Sequence, residues 1–307
     1  MTVFLYLFIY AAVLIFVGAC IARALFYARA PMHLRWELYP VPHEGRARAA
    51  HGGSYYETLD WWEKQRKFSL LGDLRFMVPE ILFLNGLWKF NRRMWYRSFP
   101  FHFGLYLLAL SAALLTAAAS CSLLVPSWAG WIAALRYCYG ALAVSGWILA
   151  LLGALGLLAY RVQDDNLRPY TRPGDIFNLV FFLLALSVLA SGYFWRRPLA
   201  PDMLDFLRGL LTFDAALEIP GLFAAGLMLS AALLAYVPLT HMSHFIAKFF
   251  TYHCVRWDDA PNGSRLQVKV AEYLTYRPTW SAPHVGAGGR KTWADLAAAP
   301  PSTEGRK

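Results

Sequence analysis

The stretch FPFHFGLYLLALSAALLTAAASCSLLV, residues 99–125, decides the fold. It carries no Asp, Glu, Lys or Arg and is longer than the about 20 residues that cross a hydrocarbon core as a helix. Four further stretches are apolar enough and long enough to do the same, near residues 3–26, 131–160, 176–194 and 219–240. With 58% hydrophobic residues over 307 positions, the composition excludes an ordinary soluble domain. The expectation is an all-α integral membrane protein, a bundle of five transmembrane helices. Its parts are a first transmembrane helix over residues 1–27, an amphipathic loop over 28–98, a four-helix core over 99–244 and a tail over 245–307. The first helix reads as retained, because no basic residue precedes its apolar run and no small-x-small cleavage site follows it.

Charge sets the expected orientation. Twelve of the 29 Lys and Arg residues lie between Ala28 and Ser98, from Arg29 to Arg97; Arg161, Arg168 and Arg172 lie between the third and fourth spans, and nine more lie in the tail. The opposite side has Arg196, Arg197 and Arg208 set among Asp202, Asp205, Asp214 and Glu218. The positive-inside rule then predicts an outside N-terminus with the loop and tail in the cytoplasm, in a multi-pass protein of the inner (cytoplasmic) membrane. The net charge of +10 is on this reading a topology signal, answered by anionic lipid heads and an acidic partner and not by nucleic acid.

Within the loop, Pro31, Pro40, Pro42, Gly45, Gly52 and Gly53 predict irregular chain, and the Trp- and Arg-rich part that follows predicts an interfacial helix through Ile81–Phe83 and Leu87–Phe90. The same aromatic, basic surface would suit a soluble redox partner. The tail predicts an amphipathic start at Phe245–Val255, an ordered stretch near Leu266–Tyr276 and a mobile Pro/Gly/Ala-rich end from Ser281. Cys20, Cys121, Cys138 and Cys254 form no C-x-x-C pair, which excludes an iron–sulfur cluster of familiar spacing within this chain. Cys121 and Cys138 read as buried thiols, with a disulfide as the alternative.

A ligating side chain inside a span is costly and therefore a functional candidate. His102 stands in Phe99-Pro100-Phe101-His102-Phe103-Gly104, just inside the second span, with Pro100 expected near the helix start and Gly104 expected to leave room for a flat ring. His241 stands in Pro238-Leu239-Thr240-His241-Met242-Ser243-His244, at the matching end of the fifth span. Two imidazoles at one depth on neighbouring helices are what a b-type haem needs as axial ligands. His244, one turn beyond His241, is the alternate ligand. A zinc site is disfavoured, because closed zinc sites take four ligands and draw on cysteine. His33, His43, His51, His253 and His284 fall in polar segments and read as solvent-facing.

The two histidine contexts and the five spans resemble the membrane cytochrome b (gamma) subunit family of respiratory nitrate reductase. The Leu-Thr-His-Met-Ser-His-Phe stretch, with Thr251-Tyr252-His253 and Arg256-Trp257-Asp258-Asp259 after it, is closer in character to the cytochrome b subunits of the transmembrane redox complexes of sulfate reducers, tetrahaem-cytochrome-linked or sulfite-reduction-linked. The resemblance covers roughly residues 99–259. It implies haem b with His102 and His241 as axial ligands of the iron, and menaquinone or another quinone as substrate. It also implies a cytoplasmic, heterodisulfide-reductase-like iron–sulfur partner subunit, with further membrane or multihaem cytochrome c subunits as possible neighbours. The family's second, outer haem would draw on the positions of Ala112 and Phe223, neither of which binds iron, so one haem near the cytoplasmic face is expected, with a second only if His244 joins a loop histidine. Arg97 and Lys248 are candidates to meet the propionates. The expected function is electron transfer between the quinone pool and that partner, in a quinone-linked oxidoreductase complex of a respiratory chain. The alternative is a cofactor-free membrane anchor that recruits such a complex. A small transporter fits worse, since no span carries a lone carboxylate between its ends and no inverted repeat is visible.

Overall fold

The structure is a computed structural model that describes residues 1–29, 70–125, 127, 129–165, 167–196, 200–247, 265–279 and 287–298. Among these residues there is no strand. The helices are α1 (Thr2–Arg29), α2 (Leu70–Phe83), α3 (Asn85–Phe90), α4 (Arg92–Leu124), α5 (Ala129–Gln163), α6 (Pro173–Phe194), α7 (Met203–Thr212), α8 (Gly221–Tyr236), α9 (Arg265–Leu274) and α10 (Trp293–Ala298). Five are long and apolar enough to cross a membrane: α1, α4, α5, α6 and the span Gly221–Leu239 built on α8. The protein is therefore read as a multi-pass membrane protein. Irregular backbone in hydrocarbon would leave amide groups unpaired, which is why the apolar runs are helical over most of their length.

The chain divides into two compact units, Met1–Leu25 with Met77–Ile246, and Phe26–Phe76 with Ala247–Lys307. The first unit holds the bundle. Its tightest contact joins α4 to α5 through small residues. A Cβ on Gly104 would strike the backbone nitrogen of Ala150, and one on Gly153 would strike the backbone of Phe101, so the two helices touch main chain to main chain. Gly146, Ala150 and Gly153 line one edge of α5, and in a bilayer, where lipid is as apolar as leucine, such close dispersion packing is what drives helices together. The α6–α8 pair repeats the device, with Gly192 against the backbone of Phe223 and Gly226 against Leu189. Phe101, Trp147, Phe182, Leu186 and Leu233 fill the core between these pairs.

Helix α4 begins earlier than its apolar run. Asn91 caps it by accepting from the Met94 amide at 3.0 Å, so residues 92–98, expected in the loop, belong to the membrane helix. Pro100 consequently stands inside α4 and not at its start, and removes the bond that the Tyr96 carbonyl would otherwise receive. The helix expected through Ile81–Phe83 and Leu87–Phe90 is present but broken: α2 and α3 meet at Leu84, whose φ of 51° interrupts the helix. This bend is held to α4, where Trp95 Nε1 donates to the Phe83 carbonyl (2.8 Å) and Tyr106 Oη to that of Ile81 (2.9 Å).

Arg136 of α5, inside a span, pairs with Asp202, which also caps α7 by accepting from the Leu204 and Asp205 amides. Arg208 donates to Ser122 at 2.6 Å, tying α7 to the end of α4. Asp202→Ala removes the cap and leaves Arg136 without its carboxylate. Because Arg136 is itself more than half exposed, the expected loss is about 2 kcal/mol, read as a lowered midpoint of unfolding in detergent. Cys121 and Cys138 are not bridged, and Cys138 is exposed on α5, against the expectation of a buried thiol.

In the second unit, α9 covers the stretch where order was expected. The supposedly mobile end contains α10, which Thr292 caps through the Asp295 amide (3.1 Å). Trp293 donates its amide to the Tyr276 carbonyl at 3.0 Å and Gly289 to that of Pro278 at 2.8 Å, joining the two. The irregular segment about Pro31–Gly53, the motif Thr251–Asp259, Lys248, Cys254 and the histidines at 33, 43, 51, 253 and 284 lie outside the described residues.

Candidate functional site

His102 and the residues about His241 meet at one end of the bundle. That end gathers the start of α4, the end of α5 (Arg97 over the Tyr160 ring at 4.4 Å), the start of α6 and the chain leaving α8. The C-terminal part of α1 joins it, since Arg23 reaches the carbonyls of Pro238 and Leu239. The N-terminus of α1 is at the opposite end, with Thr2 donating to the Leu217 carbonyl at 2.7 Å.

On α4, His102 Nδ1 lies 2.8 Å from the Ser98 carbonyl oxygen, one turn back, and 3.2 Å from the Ser98 hydroxyl. With its proton at Nε2 the ring accepts from the Ser98 hydroxyl; with it at Nδ1 the ring donates to the carbonyl and keeps its lone pair at Nε2. The second is the tautomer of a metal-ligating imidazole, and a backbone carbonyl is one of the usual partners that orient such a ring. Phe101, buried in the core beside Phe182, meets the His102 ring edge-on at 5.3 Å.

The second histidine comes from a broken helix end. Helix α8 stops at Tyr236 and continues as two 3-10 turns, Val237–Leu239 and His241–Ser243, before helix resumes at His244. Thr240 makes the break, its hydroxyl accepting from the Met242 amide. As a result His244 lies beside His102, with ring centres 6.1 Å apart and planes at 66°. His241 is engaged elsewhere: its Nε2 is 3.3 Å from Asn178 Nδ2 and 3.4 Å from Asp175 Oδ1, both on α6. When unprotonated it accepts from the amide; when protonated it pairs with the carboxylate. Asn178 is buried, 5% exposed, and accepts from Tyr236 Oη at 2.9 Å. Asp175 is shared with Arg161 at 3.4 Å and with the Arg172 amide at 3.0 Å.

Two imidazoles on one metal, each with a bond of about 2.0 Å from nitrogen, have ring centres roughly 6.3 Å apart. That figure holds for rings on opposite sides of the metal, and the His102–His244 separation is close to it. Among the described residues there is no cluster of three or more His, Cys, Asp or Glu that could hold a metal ion. Gly104 does not serve as the expected recess for a ring, because α5 fills the space above it. Arg97 turns back to its own helix, donating to the Arg93 carbonyl at 2.5 Å.

The positions of the absent outer ligands differ from each other. Phe223 is fully enclosed against Gly192, Tyr193 and Phe206, whereas Ala112 is exposed.

Asp175, Asn178 and Tyr236 went unnoticed in the sequence; an asparagine inside an apolar run was the available signal. No family model, no curated protein and no solved structure matches the chain.

Proposed function

We propose that the protein is a b-type cytochrome subunit of a membrane redox complex, passing electrons between quinone and a cytoplasmic iron–sulfur partner. The observation that carries the reading is the His102–His244 pair, with ring centres 6.1 Å apart. On this reading His102 and His244 would hold the haem, and His241, the ligand expected from the sequence, is the residue that ties the turn to α6. A haem b held there would supply one-electron chemistry. The protein's part would be to hold both rings, with His102 packed against the buried Phe101 and, through it, Phe182. The excess of Lys and Arg flanking this end of the bundle supports its facing the cytoplasm and an acidic partner. Both menaquinone as the electron carrier and a heterodisulfide-reductase-like partner follow from the family resemblance.

The test is to add a menaquinol analogue to the purified, haem-supplied protein in lipid vesicles and follow the b-type absorbance. Reduction of the band at the rate of quinol oxidation is expected; a haem band that quinol never reduces removes the quinone step. A related expectation concerns haem number. Phe223→His with Ala112→His should leave the haem count per chain unchanged, because one position is enclosed and the other faces outward; a second haem in the pyridine-haemochrome assay would contradict this.

A further inference from the structure

The broken end of the fifth span leaves two main-chain acceptors without their helical donors. In a continuous α-helix the Pro238 carbonyl would receive the Met242 amide and the Leu239 carbonyl that of Ser243. Here the Met242 amide goes to the Thr240 hydroxyl at 3.2 Å and the Ser243 amide to the Thr240 carbonyl at 3.1 Å. Both carbonyls are taken instead by one side chain from another helix. Arg23 of α1 donates from Nε to the Pro238 carbonyl at 3.3 Å and from a terminal nitrogen to the Leu239 carbonyl at 3.1 Å. An arginine inside an apolar span is costly, and a guanidinium that spans two adjacent carbonyls uses the rigid fork that lysine lacks. The cation also lies at the negative end of α8, where it is favoured. Pro238 beneath it is fully buried. The turn that Arg23 grips carries His241 and, at its exit, His244.

We propose that Arg23 is a positioning residue for the haem, locking the Pro238–Ser243 turn so that the His244 ring stays opposite His102. This rests on the haem reading above. It gives α1 a task beyond anchoring: the helix contributes no ligand but fixes the direction of one.

The experiment compares Arg23→Leu, Arg23→Lys and Tyr10→Phe with the wild type, all supplied with haem. Tyr10→Phe removes α1's bond to the Leu210 carbonyl at the opposite end and so controls for general loosening of the helix. Two quantities are read: the fraction of reduced haem that binds carbon monoxide, which requires His244 or His102 to let go, and the low-spin signal of the oxidised form in electron paramagnetic resonance. In Arg23→Leu the carbon-monoxide-reactive fraction is expected to rise about 10-fold or more, the response to losing a contact that orients a metal ligand, with a shifted low-spin signal. Arg23→Lys is expected to fall between Arg23→Leu and the wild type, and Tyr10→Phe to match the wild type. Should Arg23→Leu fail to accumulate, Arg23→Lys decides: an altered signal supports the clamp and a wild-type signal overturns it. Unchanged spectra in Arg23→Leu, or equal changes in Tyr10→Phe, overturn it also. A wild type without haem defeats the haem reading and the clamp together, whereas haem in the wild type with a silent Arg23→Leu defeats the clamp alone.

Discussion

His244→Ala is expected to abolish six-coordinate haem, and His102→Ala to do the same, while His241→Ala retains it. The two rings 6.1 Å apart belong to His102 and His244, so removing either leaves an iron with one protein ligand. Haem content per chain should fall by more than about 10-fold, since even the residues that merely orient ligands change metal affinity by that much. His241→Ala removes a contact to Asp175 and Asn178 and leaves both rings in place. Its expected phenotype is a modest loss of haem retention on heating, with a wild-type spectrum. Pyridine-haemochrome quantitation of the three purified variants checks the ordering. Loss of haem in His241→Ala with retention in His244→Ala would restore the ligand set expected from the family resemblance.

The second large effect concerns the fold. Gly153→Leu and Gly104→Leu are each expected to cost about 3 kcal/mol or more, the upper range for overpacking, because the obstacle is backbone on the facing helix and cannot move aside as a side chain can. A Cβ added at Gly140 on the same α5 meets nothing within 4 Å, so Gly140→Ala should change stability by no more than about 1 kcal/mol, in contrast to Gly153→Leu and Gly104→Leu. Unfolding in detergent, followed by circular dichroism, separates the cases. If all three variants are equally stable, the α4–α5 contact is looser than described. The same displacement would carry Phe101 and its neighbour His102 away from the bundle, so the first two variants should also lose haem.

The five spans were legible because one quantity, uninterrupted apolar length, determines them. Where local chemistry competes with that quantity, the sequence was harder to read. Asn91 starts α4 ahead of the apolar run by capping it, so the span boundary near residue 99 fell too late. Leu84 breaks the expected helix with a left-handed residue that carries no glycine signal. At the site, His102 was evident as an imidazole inside a span. The choice between His241 and His244 was not, because three residues along a regular helix leave both near one face. Pro238 and Thr240 together break that regularity, and the break directs His244 to His102 and His241 to α6. Arg23 and Arg136 also escaped notice, since a charge count over loops passes over basic residues within spans. Each holds a specific partner elsewhere in the bundle, which is how a cation within a span is tolerated in a bilayer.

The most direct measurement is the pyridine-haemochrome content of the purified full-length protein, produced with haem supplied and compared with its dithionite-reduced minus oxidised spectrum. One b-type haem per chain, absent from His102→Ala and His244→Ala, is the predicted result. A wild-type protein that takes up no haem under these conditions would contradict the account and leave a membrane anchor in its place.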